Sequence, residues 1–416
     1  MIMAMKESGI EWVGLIPDTW SVIPNKYVMH KEKNLCEKWT GEDVMSLTMN
    51  GVIVKDLQNP TGKMPATFDG YQYIENGDLL MCLFDIDVTP RCVGRVTHDG
   101  VTSPAYSNFK VHDNASRDYF YYYYLMVDNT KELLHLAKNL RHSFTEEQLG
   151  WLKVPMPPLS EQQAIADYLD ETCSKIDEII AEAKASIDEY KELKQSAIDN
   201  ATMTGIYNSE MKDTDYIWFH EMPKHWNLAL ASLLFREDVR PVNENDVSLS
   251  LSQIDGLIPT DDMSERSLKS ATHNNWKHVI PDDLVLNRFK GHLGVFFASR
   301  YTGMVSFHYG VYHAIRDDVY AKYYEYLFHS TTYKNIFALK SNGITVGLQN
   351  LSNSNFYSVK ILHPSLDEQK EIVEYLDERC KQIDSLITEK QSLIADLESY
   401  KKSLIYEVVT GKRRVV

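Results

Sequence analysis

The feature that most constrains this chain is an internal duplication. The segment from Leu159, LSEQQAIADYLDETCSKIDEII, returns from Leu366 as LDEQKEIVEYLDERCKQIDSLI. At a constant offset of 207 the identities include Glu161/Glu368, Gln162/Gln369, Ile165/Ile372, Tyr168/Tyr375, Leu169/Leu376, Asp170/Asp377, Cys173/Cys380, Asp177/Asp384 and Lys194/Lys401. A second marker lies upstream, where Trp12, Pro17 and Trp20 match Trp218, Pro223 and Trp226 at an offset of 206. Between these markers the halves diverge almost completely. A chain that keeps its framework twice while its middles differ suits one task performed on two different targets.

Each repeated segment has the periodicity of a long helix. Apolar residues fall in one stripe at Ile165, Leu169, Ile176, Ile180, Ala183, Ile187, Tyr190 and Ala197. The second copy repeats it at Ile372, Leu376, Ile383, Ile387, Ile394, Leu397 and Leu404. Pro157-Pro158 stops what precedes, Ser160 with Gln163 has a capping-box pattern, Asp367 is an acceptable N-cap, and Gly205 and Gly411 close the helices. Each helix is expected to run on the order of 40 residues, or about 60 Å. So long a stripe must be buried, against the helix's own domain or against the other copy. The second is favoured, because each stripe has an equally apolar partner. Antiparallel pairing then relates the halves by a pseudo-twofold axis, with two variable domains at opposite ends of a rigid spacer.

The expected layout is therefore α+β. Residues 1–157 form a first globular domain, 158–205 a helix, 206–364 a second domain, 365–411 a second helix, and 412–416 a basic tail. Within the domains, 52–54, 78–84, 93–97, 284–286, 294–298 and 304–307 read as strands, and 118–127 and 319–329 as short helices.

Composition excludes some functions and complicates another. No apolar run approaches the roughly 18 residues of a membrane span, the N-terminus lacks the apolar core of a signal peptide, and five scattered cysteines without a CxxC pair suggest reduced thiols and no zinc site. A net charge of −16 gives no bulk support for binding nucleic acid. Nine of the sixteen excess negatives, however, lie on the two helical segments, which need not touch phosphate. Local basic windows remain. Residues 284–316 carry Arg288, Lys290, Arg300, Arg316, His292, His308 and His313 with no acid, and 88–112 carry Arg91, Arg95 and Lys110 against Asp99 alone. Arginine bridges guanine edges, asparagine adenine edges, and lysine holds phosphates. Candidate DNA contacts from these windows are Arg91, Arg95, Asn108, Lys110, Arg288, Lys290, Arg300, His308 and Tyr309. There is no phosphate-binding GxxxxGK[ST] loop, no GxGxxG after a strand, and no Asn/Asp-Pro-Pro-aromatic tetrapeptide. The chain therefore reads as non-catalytic, with no metal or cofactor of its own.

The alternation of two variable domains with two copies of one helix resembles the specificity subunits of type I restriction–modification systems. The resemblance rests on Pro158-Leu-Ser-Glu-Gln162 with Ile165-Ala-Asp-Tyr-Leu169, on Leu366-Asp-Glu-Gln369 with Ile372-Val-Glu-Tyr-Leu376, and on Ile16-Pro-Asp-Thr-Trp20 and Met222-Pro-Lys-His-Trp226. It covers essentially the whole chain and departs at Ser365, where the family has a second proline. The resemblance implies that each target-recognition domain reads one half of a bipartite, asymmetric site in double-stranded DNA. It implies that the helices set the unread gap and dock two methyltransferase subunits. S-adenosylmethionine then belongs to those subunits, and ATP and magnesium to restriction subunits where these exist, in a cytoplasmic system of phage defence. Family loops near the end of each domain add Arg141, His142, Ser143 and Asn342 as candidate contacts. A DNA-free adaptor that spaces protein partners with its coiled coil is the alternative, and an enzyme of unrecognised type is a third, less favoured one.

Overall fold

The long helices begin where proline ends the preceding strand. In the computed structural model, which describes residues 4–60, 64–137, 142–252, 256–263, 275–341 and 350–415, the strands Lys153–Met156 and Lys360–His363 each lead within a few residues into a helix. These helices are Leu159–Thr204 (46 residues) and Leu366–Val409 (44 residues). Both end at a glycine with positive φ, Gly205 at +79° and Gly411 at +70°, a conformation that costs glycine least. The N-termini differ from expectation. The first helix starts at Leu159, and the Pro158 carbonyl accepts from the Glu161 and Gln162 amides, so Ser160 lies inside the helix and forms no capping box with Gln163. In the second, Ser365 rather than Asp367 is the cap. Its hydroxyl accepts from the Glu368 amide at 3.3 Å and its carbonyl from the Gln369 amide at 2.9 Å.

The chain divides into two compact units, Met1–Ala183 with Ser392–Val416, and Lys184–Gln391. The first holds two four-stranded sheets. In one, the strands lie in the order Gly51–Val54, Val44–Thr48, Gly100–Thr102, Gln72–Ile74, with the central pair parallel. In the other the order is Met29–Glu32, Ser107–Val111, Leu79–Met81, Val93–Arg95, all antiparallel. A two-stranded ribbon, Ser21–Pro24 with Lys153–Met156, closes the domain beside the long helix. The helix Arg117–Asn129, capped by the Ser116 hydroxyl, buries Tyr119, Phe120, Tyr122, Tyr123, Tyr124, Leu125, Met126 and Val127. A helix apolar on every side has to be a core helix, and this one packs in a single cluster with Ile165, Leu169, Ile176 and Ile180 of the first long helix and Leu404, Ile405, Val408 and Val409 of the second.

The second unit repeats this topology strand for strand, although its sequence between the markers does not. One sheet runs Gly256–Pro259, Val247–Ser252, Gly303–Val305, Lys277–Val279, again with a parallel central pair. The other runs Phe235–Glu237, Tyr309–Ala314, Leu284–Asn287, Phe296–Ala298. The ribbon is Asn227–Leu230 with Lys360–His363, and Ala321–Phe328 is the core helix. Its cluster joins Ile198 and Ala201 to Ile372, Val373, Leu376 and Cys380. In each unit, then, the start of one long helix packs against the end of the other, which makes the pairing antiparallel. Ion pairs mark the same register: Lys401 bonds Asp177 at 2.5 Å in the first unit, and its repeat mate Lys194 bonds Asp384 at 2.7 Å in the second.

Candidate nucleic-acid interface

The repeated residues fix each domain to the helices by matching contacts. In the first unit the buried Trp20 indole donates to Glu161 at 3.0 Å, and in the second Trp226 donates to Glu368 at 2.9 Å. Each indole also abuts the end of the other helix: a Cβ on Gly411 would lie 3.0 Å from Trp20, and one on Gly205 3.4 Å from Trp226. Gln162 accepts from the Ser116 amide at 2.8 Å and donates to the Pro157 carbonyl at 2.8 Å. Gln369 accepts from the Tyr320 amide at 2.8 Å and donates to the Pro364 carbonyl at 3.0 Å. The core helices are tied in the same way, by Tyr119 to the Val409 carbonyl at 2.9 Å and by Tyr323 to the Thr202 carbonyl at 3.2 Å. A buried tryptophan N–H and a buried glutamine amide both need partners, which accounts for Trp, Glu and Gln surviving in both copies.

These contacts use the repeated side chains, and the sequence-predicted candidates lie elsewhere in each unit. In the second unit the strand Leu284–Asn287 runs into a short 3₁₀ segment, Arg288–Leu293, whose first turn is capped by the Asn287 side chain. Arg288 turns inward. Its guanidinium donates to Glu237 at 2.6 Å and to Asn353 at 2.9 Å, while Glu237 also takes Lys277 at 2.7 Å. Burial acts to raise the Glu237 carboxyl, but Lys277, Asn353 and the Arg288 charge outweigh it and hold the group below its ordinary range. Tyr312 adds a bond to Asn353 at 2.8 Å. Arg288 thus anchors the segment, and its neighbours Phe289 and Lys290 are exposed. The His308 ring sits 3.8 Å from Phe307 and 5.2 Å from Phe289, and all three rings are open to solvent. The His308 ring therefore joins Phe289 and Phe307 in one exposed aromatic cluster, and the exposed Lys290 follows Phe289 in the chain. Tyr309 is half-buried, its carbonyl holding Lys277 at 2.6 Å and its hydroxyl pushed up by burial. Arg300 is exposed and lines a groove against the helix pair.

In the first unit several expected readers are engaged internally. Arg95 binds Asp118 at 2.7 Å and Asp170 of the long helix at 3.1 Å, with Tyr122 also on Asp170 at 2.7 Å. Arg91 donates to the Met49 carbonyl at 2.9 Å, to the Val93 carbonyl at 3.0 Å and to the Tyr121 hydroxyl at 2.6 Å. Asn108 is buried and donates to Asp78 at 2.8 Å; burial raises that carboxyl above its ordinary value. Lys110 lies between Glu75 at 2.8 Å and Glu32 at 3.1 Å, which hold its ammonium in the charged form. His142 has a left-handed backbone, φ +41°, and its carbonyl accepts from the Ile86 amide at 3.4 Å. Beside it Phe144 donates to the Leu83 carbonyl at 2.7 Å, so 142–144 brace the loop that carries the exposed Phe84 and Val88. Ser143 is half-exposed and makes contacts of its own. Arg141 and Asn342 lie outside the described residues. The exposed Phe289 and Phe307 are the surface side chains that sequence reasoning passed over. Only their position in an acid-free basic window marked them.

Among the described residues no cluster of three metal-ligating side chains occurs, and no helix is long and apolar enough to cross a membrane. The family profile of the type I restriction modification DNA specificity domain matches residues 92–189 and 260–395. Among solved structures, a chain from a study of complex assembly and conformational transition of the type I R-M system is 14% identical over 96% of this chain and 99% of its own, with a TM-score of 0.68. The HsdS subunit from Thermoanaerobacter tengcongensis is also 14% identical, over 96% of this chain and 98% of its own, with a TM-score of 0.53. At that identity the likeness is one of fold: two sheet-rich domains with two long helices.

Proposed function

This chain belongs to the type I restriction–modification DNA specificity family, and we propose that each of its two domains reads one half of a bipartite, asymmetric DNA site while the helices set the gap between the halves. The observation that carries this reading is the repetition of one attachment, Trp–Glu, Gln–Pro and Tyr–carbonyl, beneath two domains of one topology and different loops. One docking geometry presents two unlike reading surfaces. The second presents Lys290, His308 and two exposed phenylalanines, groups suited to phosphates, base edges and thymine methyls.

The chain is non-catalytic in this reading. Methyl transfer resides in two methyltransferase subunits that bind S-adenosylmethionine, and cleavage in restriction subunits that use ATP and magnesium, in the cytoplasm and in defence against phage. A two-copy partner finds support in the helix surfaces. In the first unit the helices expose Ile179 and Tyr400, and in the second the repeat mates Leu386 and Leu193. Equivalent apolar spots suit equivalent partner copies.

The test is a domain exchange. Replacing 206–364 by the corresponding domain of another family member, and mapping methylation in cells that supply the modification subunit, should change one half of the methylated motif and leave the other half and the gap intact. A change in both halves would sink the assignment of one half-site to each domain.

A further inference from the structure

In the second unit a groove of about 690 Å³ runs between the globular domain and the helix pair and continues into a neighbouring one of about 520 Å³. The two share Lys194, His329 and Asp384 in their walls. The cations here exceed what the acids neutralise. Lys194 is taken by Asp384 at 2.7 Å and Lys322 by Glu325, while Asp377 accepts the neutral Tyr326 hydroxyl at 2.5 Å and keeps its own negative charge in the wall. That leaves Arg300, Lys334 and Lys381 with no carboxylate in ion-pair contact among the described residues. Lys334 is half-buried, and its ammonium rests on the neutral Gln195 amide oxygen at 2.9 Å. Burial of its ammonium outweighs the nearby Asp199 charge, a cost that an incoming anion would recover. His329 does not compete for that anion's place as a cation. Burial, and then Lys334, Lys322 and Lys194, hold its pKa down to about 3.

The first unit supplies an internal contrast. Its equivalent groove, about 510 Å³, is built on the repeat mates Asp170, Cys173, Asp177 and Lys401. There Asp118 and Asp170 bind Arg95, Asp177 binds Lys401, and backbone carbonyls and a tyrosine hydroxyl take up Arg91. Leu125 stands in the place of His329. By the same measure that groove holds one cation, Arg91, without a carboxylate in ion-pair contact among the described residues, against three in the second unit.

We infer that the second unit's groove is a phosphate-binding site, built around Arg300, Lys334 and Lys381, and that the first unit's groove is not. Three separated cations on an open wall exceed the need of a single carboxylate and suit groups with several charged oxygens. The phosphate is either a phosphodiester of bound DNA or a free phosphate group, and only the first source rests on the function proposed above.

The experiment uses the full chain with its modification subunits. It compares wild type, the double variant Arg300→Gln/Lys381→Gln, whose sites are exposed, and Lys175→Gln on the outer face of the first helix as control. Two quantities are read: the slope of log affinity for motif DNA against log salt, and the shift in melting temperature with inorganic phosphate at constant ionic strength. If DNA is the source, the double variant's slope becomes shallower by about one to two, near 0.9 for each phosphate no longer neutralised, and the control's does not. If free phosphate is the source, phosphate raises the wild-type melting temperature and leaves the double variant's unchanged. An unchanged slope with no phosphate effect overturns the site, while motif-specific binding in the same titration leaves the DNA-reading function standing. Phosphate stabilisation without any motif-specific binding upholds the site and removes the DNA source.

Discussion

Gln369→Leu isolates how the second domain is held to its helix. The wild-type side chain is fully buried, accepts from the Tyr320 amide at 2.8 Å, and donates to the carbonyls of Asp318 at 2.9 Å and Pro364 at 3.0 Å. Leucine keeps most of the volume and none of the polar atoms. Losing three bonds worth about 1 kcal/mol each, with a backbone N–H left without its acceptor, should cost about 3 kcal/mol. At 1.4 kcal/mol per tenfold change, that is about a hundredfold loss of protection in native-state hydrogen exchange. The loss should appear in the helix Ala321–Phe328 and the first turns of Leu366–Val409. Gln369→Glu places a buried carboxylate against the Asp318 and Pro364 carbonyl oxygens with no cation beside it, so it should lose at least as much protection as leucine. Gln162→Leu should reproduce the effect in Arg117–Asn129, because Gln162 holds the Ser116 amide and the Pro157 carbonyl in the same way. Protection within about threefold of wild type would refute the claim that these amides lock domain to helix.

Lys194→Asp should cost roughly 1 kcal/mol at low salt and Asp384→Lys in the same chain should restore most of it, since the pair is half-exposed; additive losses in a double-mutant cycle would deny the register. Gly411→Ala should destabilise more than Gly205→Ala in thermal melts, because a Cβ at 411 would lie 2.5 Å from Pro17 whereas one at 205 would meet nothing nearer than 3.3 Å, and positive φ penalises both. His329 has a folded pKa of about 3, below its ordinary 6.5, so its contribution to stability is present above pH 6.5 and is lost as pH falls towards 3. His329→Phe should therefore flatten the acid limb of the second unit's stability profile, and an unchanged limb would contradict its burial as the neutral form. Deleting one heptad from each long helix at matched positions, about 10.5 Å of helix, should shorten the methylated motif's gap by about 3 base pairs at 3.4 Å each and leave both half-sites; an altered half-site with an unchanged gap would remove the helices as the ruler.

The parts of this fold legible in the sequence are those whose signal is local or repeated. The apolar stripe through Ile165, Leu169 and Ile176, and its copy through Ile372, Leu376 and Ile383, announce two long helices that need each other, and the ends packed in each unit agree. The shared topology of the two domains is not legible. Strands such as Leu79–Met81 and Gly303–Val305 are three residues long and buried on both faces, so they show no alternation from which order could be read. The helix starts lie a residue or two from where capping patterns put them, because Gln162 and Gln369 reach out of the helix to clamp the preceding proline, an arrangement no such pattern encodes. The candidate site is read from the sequence as basic windows, and the environment of each residue in them depends on contacts distant in the chain. Arg95 and Asn108 read as free polar side chains in the sequence, whereas Asp170 and Asp78, distant in the chain, bond them in the fold. Phe289 and Phe307 carry no sequence signal of exposure, and only the tertiary structure leaves them in solvent.

The most direct test of the account is long-read methylation sequencing of a host carrying this gene beside its methyltransferase gene, compared with a deletion of this gene alone. A split motif with a fixed unread gap, present with the gene and lost on its deletion, is the predicted result. Methylation that is unchanged by the deletion, with the methyltransferase shown to be expressed, would contradict it and leave the paired helices as a spacer between protein partners.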